Sequence, residues 1–235
     1  MVNKIREIIE NARKEKRIFL LEHESKTIIK EISLQTTDFQ VASNITEAQK
    51  IAKEYGYPLV MKIISPQIIH KTDAGGVKLN IQNDRELRQA YDDILVNIKK
   101  YNPKAVVYGV LIEKMVKPSV EIIIGVTRDP TFGPAIMFGL GGIFVELLKD
   151  VSFRITPLEE KDANEMIKEI KALPLLQGYR GGPKVDLKLI VNALLKVSKL
   201  SIDYINEIQE IDLNPIFAYE NKLVTVDARI ILTQP

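Results

Sequence analysis

The run from Val60 to Lys78 constrains the chain most. Residues 60–64 and 77–81 are apolar stretches that read as strands, so the residues between them must form a loop, and that loop carries His70, Thr72, Asp73, Gly75 and Gly76. Lys62 falls inside the first apolar stretch. A buried ammonium is costly unless a negative group meets it, and a phosphate would serve. Gly75 and Gly76 allow backbone N–H groups to come close to such an anion. His70 is suited to accept and release a phosphoryl group or a proton near neutral pH. Together these residues suggest phosphoryl chemistry. Plainer roles exist for each: a strand lysine can snorkel to solvent, a Gly-Gly pair can simply turn the chain, and a loop histidine can be merely solvated.

Around this run the pattern alternates between helix and strand. Ile5, Ile8 and Ile9 mark an opening helix within residues 1–17, and Ile28, Ile29 and Ile32 mark a second over 22–32. A third starts near Asn44 or Thr46 and runs to Tyr55, where Gly56 and Pro58 stop it. A helix over 84–100 and a strand over 105–112 follow. Residues 120–126 and 135–138 read as a hairpin around Thr127-Arg128-Asp129-Pro130. Helices are expected from Pro157 to Ala172 and over 186–201, with a loop over 174–184 between them. Residues 205–231 read as strands with a turn at 220–222. The expected architecture is therefore mixed α+β and α/β: residues 1–104 hold the N-terminal helices and a first lobe, and residues 105–235 a second lobe.

Composition narrows the chemistry. Thirty-three basic against 31 acidic residues leave a net charge of +2, which gives no basic field for nucleic acid. With no cysteine and two histidines, thiolate zinc sites, disulfides and cysteine nucleophiles are excluded, so any metal should be held by oxygen. No apolar run approaches the roughly 20 residues that span a bilayer. The charged amino terminus lacks a signal-peptide core, so a cytoplasmic protein that does not engage a membrane is expected.

Three further constellations fit a nucleotide. Glu210 to Ile216 and Val224 to Ala228 alternate polar and apolar residues, and pairing them as a hairpin could put Asn214 and Asp227 on one face, with Asp212 on the same side. These are hard oxygen ligands of the kind Mg²⁺ accepts. The connector from Leu111 to Pro118, with Glu113, Met115 and Val116, could offer backbone groups to an adenine edge, and Glu121 could take ribose hydroxyls. Gly139-Leu140-Gly141-Gly142 lacks the spacing and setting of a dinucleotide fingerprint, so a tight turn near a phosphate or a partner is expected instead. Arg128 is a candidate phosphate clamp.

Taken in order, Lys62, His70 to Lys78, Glu113 to Val116, Gly125 to Pro134, Phe138 to Gly142 and Asp212 to Pro215 resemble the ATP-grasp, or β, subunits of ADP-forming acetyl-CoA synthetases, relatives of the succinyl-CoA synthetase β subunit. The resemblance implies an ATP-grasp fold of two packed lobes with the nucleotide held between sheets. By the same resemblance, Lys62 contacts phosphate, Glu113 to Val116 form the adenine hinge, Glu121 meets the ribose, and Asn214 and Asp227 hold Mg²⁺. His70 then relays phosphate between ADP or ATP and a phosphohistidine on a partner, whose incoming loop Asp212 meets. The implied partner is an α subunit with CoA-binding and ligase domains in an α₂β₂ assembly. One segment departs from the family: Glu31 to Thr37 replaces the usual Tyr-Gly-Ile-Pro-like turn. Two other functions compete, an ATP-grasp carboxylate ligase working through an acyl-phosphate without His70, and a non-catalytic nucleotide-sensing module.

Overall fold

The computed structural model describes residues 4–142, 145 and 147–234. The chain forms two compact units, one continuous over Thr37–Lys117 and one made of Met1–Thr36 together with Pro118–Pro235. This corrects the division expected near residue 104. The final strand of the continuous unit, β4 (Gly109–Lys114), is hydrogen-bonded on one side to β1 (Phe39–Ala42) and on the other to β2 (Leu59–Ile64), so the chain cannot leave that unit before residue 114.

The continuous unit is a four-stranded antiparallel sheet in the order β1-β4-β2-β3, with β3 at Val77–Ile81. Two helices, α3 (Ile45–Tyr55) and α4 (Asp84–Tyr101), supply its apolar cover. Ile51, Leu87, Ile94 and Ile98 from the helices pack with Met61, Ile63, Val110 and Ile112 from the strands. Both helices start on an asparagine whose side chain accepts a backbone N–H three residues on, Asn44 from Glu47 and Asn83 from Glu86, each at 3.0 Å. The strand expected from residue 105 begins only at Gly109: Val106 and Val107 are exposed and outside the ladder, and Tyr108, also exposed, leads into it by donating its N–H to the Ile64 carbonyl at 2.9 Å.

The discontinuous unit is built on a larger sheet in the order β10-β8-β5-β6-β7, with β9 (Leu223–Thr225) also paired to β8. Its long hairpin is β5 (Val120–Asp129) with β6 (Gly133–Leu140); the turn expected over 127–130 lies instead at 130–132, because Thr127, Arg128 and Asp129 pair with Ala135, Pro134 and Gly133. The edge strand β7 (Val151–Ile155) pairs with β6, and β8 (Ile208–Ala218) lies between β5 and β10 (Arg229–Leu232). Helices α1 (Lys4–Lys14), α2 (Glu22–Glu31), α5 (Glu160–Glu169), α6 (Leu173–Leu176) and α7 (Leu187–Asp203) accompany the sheet. Residues such as Ile28, Met166, Ile190 and Leu194 bury Ile122, Ile124, Phe138 and Leu213 on one sheet face. The first 36 residues belong here because Leu20 N–H donates to the Ile230 carbonyl and Leu232 N–H to the Ile18 carbonyl, at 2.9 and 2.7 Å. The divergent 31–37 segment turns at Ser33, which is left-handed with φ 59°, and Gln35 then accepts from Thr225 N–H. Among the described residues no helix is long and apolar enough to cross a membrane.

Candidate functional site

In the continuous unit, Lys62 lies on the sheet face opposite Met61 and Ile63, as strand alternation requires. Leu111 is its direct cross-strand partner on β4, which makes Glu113 its diagonal neighbour on the same face. Lys62 Nζ lies 3.5 Å from Glu113 Oε1, with the lysine side chain 8% and the glutamate side chain 1% exposed. Thr37 Oγ1 donates to the other carboxylate oxygen at 3.2 Å. The negative group that the buried ammonium requires is thus present without a ligand. Glu113 answers the charge within the unit, from a position that local sequence reasoning ties to the connector and not to the lysine. A ligand phosphate reaching Lys62 would share it with, or take it from, this carboxylate. Thr37 was not legible as a site residue, because nothing near it in sequence signals a partner so far along the chain.

The connector is also narrower than expected. Glu113 is paired on both sides of β4, and Met115 N–H donates to the Pro58 carbonyl at 3.1 Å. Val116 makes no such bond among the described residues.

The loop between β2 and β3 exposes His70, Thr72 and Asp73 while burying Ile68 and Ala74. Its backbone is internally bonded: Ala74 N–H donates to the His70 carbonyl at 3.2 Å, and Gly76 N–H to the Lys71 carbonyl at 2.7 Å. Gly75 N–H likewise donates to the Thr72 carbonyl at 3.0 Å. The N–H groups of Gly75 and Gly76 are therefore spent on holding the loop, which corrects their reading as an open anion cradle. Their part is to shape the turn beneath the histidine.

In the discontinuous unit, the register of β8 is the same on both sides of Asn214: Ile216 faces Thr225 and Asp212 faces Arg229. Val226 N–H donates to the Pro215 carbonyl at 3.0 Å, in step with both. Counting inward from either side sets Asn214 opposite Asp227, so the two expected metal ligands share a position as the hairpin reading requires. A register shift against β5 falls between Ile122 and Ile124, which face Ile216 and Leu213. The extra residue of this bulge lies at Asn214-Pro215, and bulges re-aim the side chains they carry. Simple alternation along the sequence gives no sign of it.

Asp212 lies across from Gly125 and shares its face, away from the apolar cover of Ile211 and Leu213. Burial raises its carboxyl above the usual range, Asp227 and Glu210 push the same way, and Arg229 pulls it down. Arg229 lies 3.8 Å from both Asp212 and Glu210. Among the described residues no three His, Cys, Asp or Glu side chains form a metal cluster. An amide oxygen from Asn214 with the carboxylate of Asp227 and a nearby Asp212 is instead an oxygen-only set short of full coordination. Such a set suits Mg²⁺ when phosphates and waters complete it.

Glu121 shares the Gly125 face, four residues or about 13 Å along β5 at about 3.3 Å per residue. Gly141 packs against it: its N–H donates to the Glu121 carbonyl at 2.8 Å, and a Cβ on Gly141 would lie 3.0 Å from Glu121 Cβ. The glycine run is thus a close approach to Glu121. Arg128 does not join this group. It sits within β5 opposite Pro134, and alternation gives it the parity of Ile124 and Val126, on the face away from Asp212.

Comparison with known proteins agrees with the resemblance read from the sequence. The model of a family described as ATP-grasp domain matches residues 11–232. Over 231 residues the chain is 54% identical to the ADP-forming acetate–CoA ligase I subunit beta of Pyrococcus furiosus, covering 98% of this chain and 99% of that protein. It is 45% identical over 209 residues to the ADP-forming acetate–CoA ligase I of Archaeoglobus fulgidus, covering 89% of this chain but 30% of that longer protein. A structure of the acetyl-coenzyme A synthetase 1 of Ca. Korarchaeum cryptofilum, in complex with coenzyme A and Mg-AMPPCP and with its phosphohistidine segment pointing towards the nucleotide binding site, superposes with a TM-score of 0.84 at 44% identity. That match covers 97% of this chain and all of the other. The expected ATP-grasp fold is met.

Proposed function

The chain belongs to the ATP-grasp family, and from that premise we propose that it is the nucleotide-handling subunit of an ADP-forming acyl-CoA synthetase. It moves a phosphoryl group between ADP and a phosphohistidine carried by a separate α subunit, with His70 as the relay. The observation that carries this reading is His70 itself, an exposed imidazole on a loop whose backbone is bonded into the sheet beneath it. A carboxylate ligase working through an acyl-phosphate has no use for such a group.

In the synthetic direction for ATP, a ring nitrogen of His70 attacks the phosphorus of the partner's phosphohistidine, the P–N bond to the partner breaks, and that imidazole leaves. A terminal oxygen of ADP then attacks the phosphorus on His70, returning a free imidazole and ATP. Both displacements need in-line positioning and charge neutralisation more than covalent help. Lys62 supplies a positive charge on its unit, with Glu113 and Thr37 fixing where its head lies. The Val116 peptide reads the adenine edge, and Glu121 takes the ribose. Asn214 and Asp227 would hold Mg²⁺, which when bound offsets phosphate charge. Asp212 receives the partner's segment. The partner carries the CoA-binding and ligase domains, a reading supported by a longer relative of which this chain matches 30%, and the assembly is α₂β₂. The protein works in the cytoplasm.

The test reconstitutes the chain with its α subunit. His70→Ala should bind nucleotide normally and allow the partner histidine to be phosphorylated from acyl-CoA and phosphate, yet transfer nothing to ADP. An acid-labile, base-stable phosphate should form on His70 in the unmodified enzyme. Undiminished ATP synthesis by His70→Ala would overturn the reading.

A further inference from the structure

Building on the reading of His70 as the relay, we propose that two amide side chains, Gln67 and Asn97, are positioning residues that clamp the two ends of its loop. On the leading side, Gln67 Oε1 accepts from Val106 N–H at 2.9 Å and from Ser65 Oγ at 3.3 Å. Gln67 N–H in turn donates to Ser65 Oγ at 3.4 Å, and Ser65 is buried. This ties the exit of β2 to the connector that precedes β4. On the trailing side, Asn97 reaches from α4, and its Nδ2 donates to the Gly75 carbonyl at 3.1 Å. Gly75 is left-handed, with φ +65°, and a Cβ there would lie 2.7 Å from Asn97 Nδ2. Glycine is what lets the backbone come under the amide.

Between the clamps the backbone is closed by its own turns, and Ile63 N–H donates to the Gly76 carbonyl at 2.8 Å. The side chains left exposed include His70, Thr72 and Asp73. An exposed stretch of this composition has few apolar contacts to hold it and would open locally at little cost. A relay histidine must meet two phosphorus centres in line, where misplacement by 1 Å can cost about 10²-fold in rate. Neither amide is bonded to the imidazole, so both act through the backbone.

The clamps use opposite chemistry. Gln67 works through its oxygen and Asn97 through its nitrogen. Carboxylates of the same shape therefore separate them: Gln67→Glu keeps the acceptor, whereas Asn97→Asp loses the donor and sets oxygen against oxygen.

The experiment follows single-turnover transfer from ATP to the partner histidine in the assembled enzyme, with His70→Ala alongside. Asn97→Asp, Asn97→Ala and Gln67→Leu should slow transfer by about 10- to 100-fold with nucleotide affinity and unfolding midpoint nearly unchanged, while Gln67→Glu stays close to the unmodified rate. The imidazole resonances of His70 should broaden in Asn97→Asp, a change that loss of stability alone would not bring. Full transfer by Asn97→Asp alongside inactive His70→Ala would overturn the clamp and leave the relay standing. Full transfer by His70→Ala would overturn the relay and the clamp with it. Should the Asn97 variants not fold, the Gln67 pair decides: equal rates for Gln67→Glu and Gln67→Leu would overturn the clamp.

Discussion

Two lysines are buried beside glutamates in this molecule, one in each unit, and they are built differently. Lys26 pairs with Glu22 at 3.3 Å, one turn apart on α2, with side chains 0% and 2% exposed. Lys62 pairs with Glu113 across two strands at 3.5 Å, and Thr37 anchors the carboxylate. The first pair is local, its two members one turn of helix apart. The second joins segments about fifty residues apart in sequence, brought together only by the pairing of β2 with β4. Burial and charge are alike in both, so neither property tells the two pairs apart; the surroundings do.

The largest effect expected is on stability, from breaking either pair on one side. Lys26→Ala or Glu113→Ala leaves a buried charge without its counterpart and should cost about 3–5 kcal/mol, read by denaturant unfolding. Replacing both members with apolar residues of similar volume sharpens the contrast. Glu22→Leu with Lys26→Met should be close to neutral in stability and leave nucleotide affinity as it was. Lys62→Met with Glu113→Leu should also fold, yet weaken nucleotide binding by about 1.5–3 kcal/mol in calorimetry, the worth of one charge-assisted hydrogen bond. Equal nucleotide affinity in the two doubles would erase the distinction.

A smaller effect lies beside Lys26. His23 is held below the ordinary histidine range by burial, with Arg17 adding to the depression and Glu24 and Glu22 opposing it, and its Nδ1 has no hydrogen-bond partner. The native state therefore binds this proton less readily than the unfolded chain, so stability should fall as pH drops below the unfolded value of about 6.5. His23→Gln should flatten that part of the pH profile. The smallest effects belong to the helix caps that serve the Lys62 unit: Asn44→Ala and Asn83→Ala should each cost about 1 kcal/mol without changing nucleotide affinity.

Local pattern carried a good deal of this structure. Asn44 and Gly56 bracket α3 as capping chemistry requires, the β5–β6 hairpin turns from Pro130, and the polar alternation of 210–216 puts Asn214 and Asp227 at one register position. What escaped was set by partners distant in sequence. Glu113 answers Lys62 only once β4 lies against β2, and the other side of β4 is paired with β1. The parity of Arg128 became readable only with β5 extending through Asp129. Gln67 and Asn97 carry no spacing that would separate them from any other surface amide.

The discontinuity of the larger unit has a consequence for synthesis. Residues 37–117 contain all four strands of their sheet, and β1 pairs with β4, so this segment has everything it needs once it has emerged from the ribosome. The opening 36 residues have no such autonomy, because Phe19 pairs with Ile231 and Leu20 with Ile230, both far later in the order of translation. At about 5–20 residues per second, α1 and α2 would wait roughly 10–40 s for their strand. Ribosome-arrested chains ending near residue 170 should then protect 37–117 from protease while remaining cleavable within 1–36. Protection of the opening helices in such chains would mean that they find shelter before β10 exists.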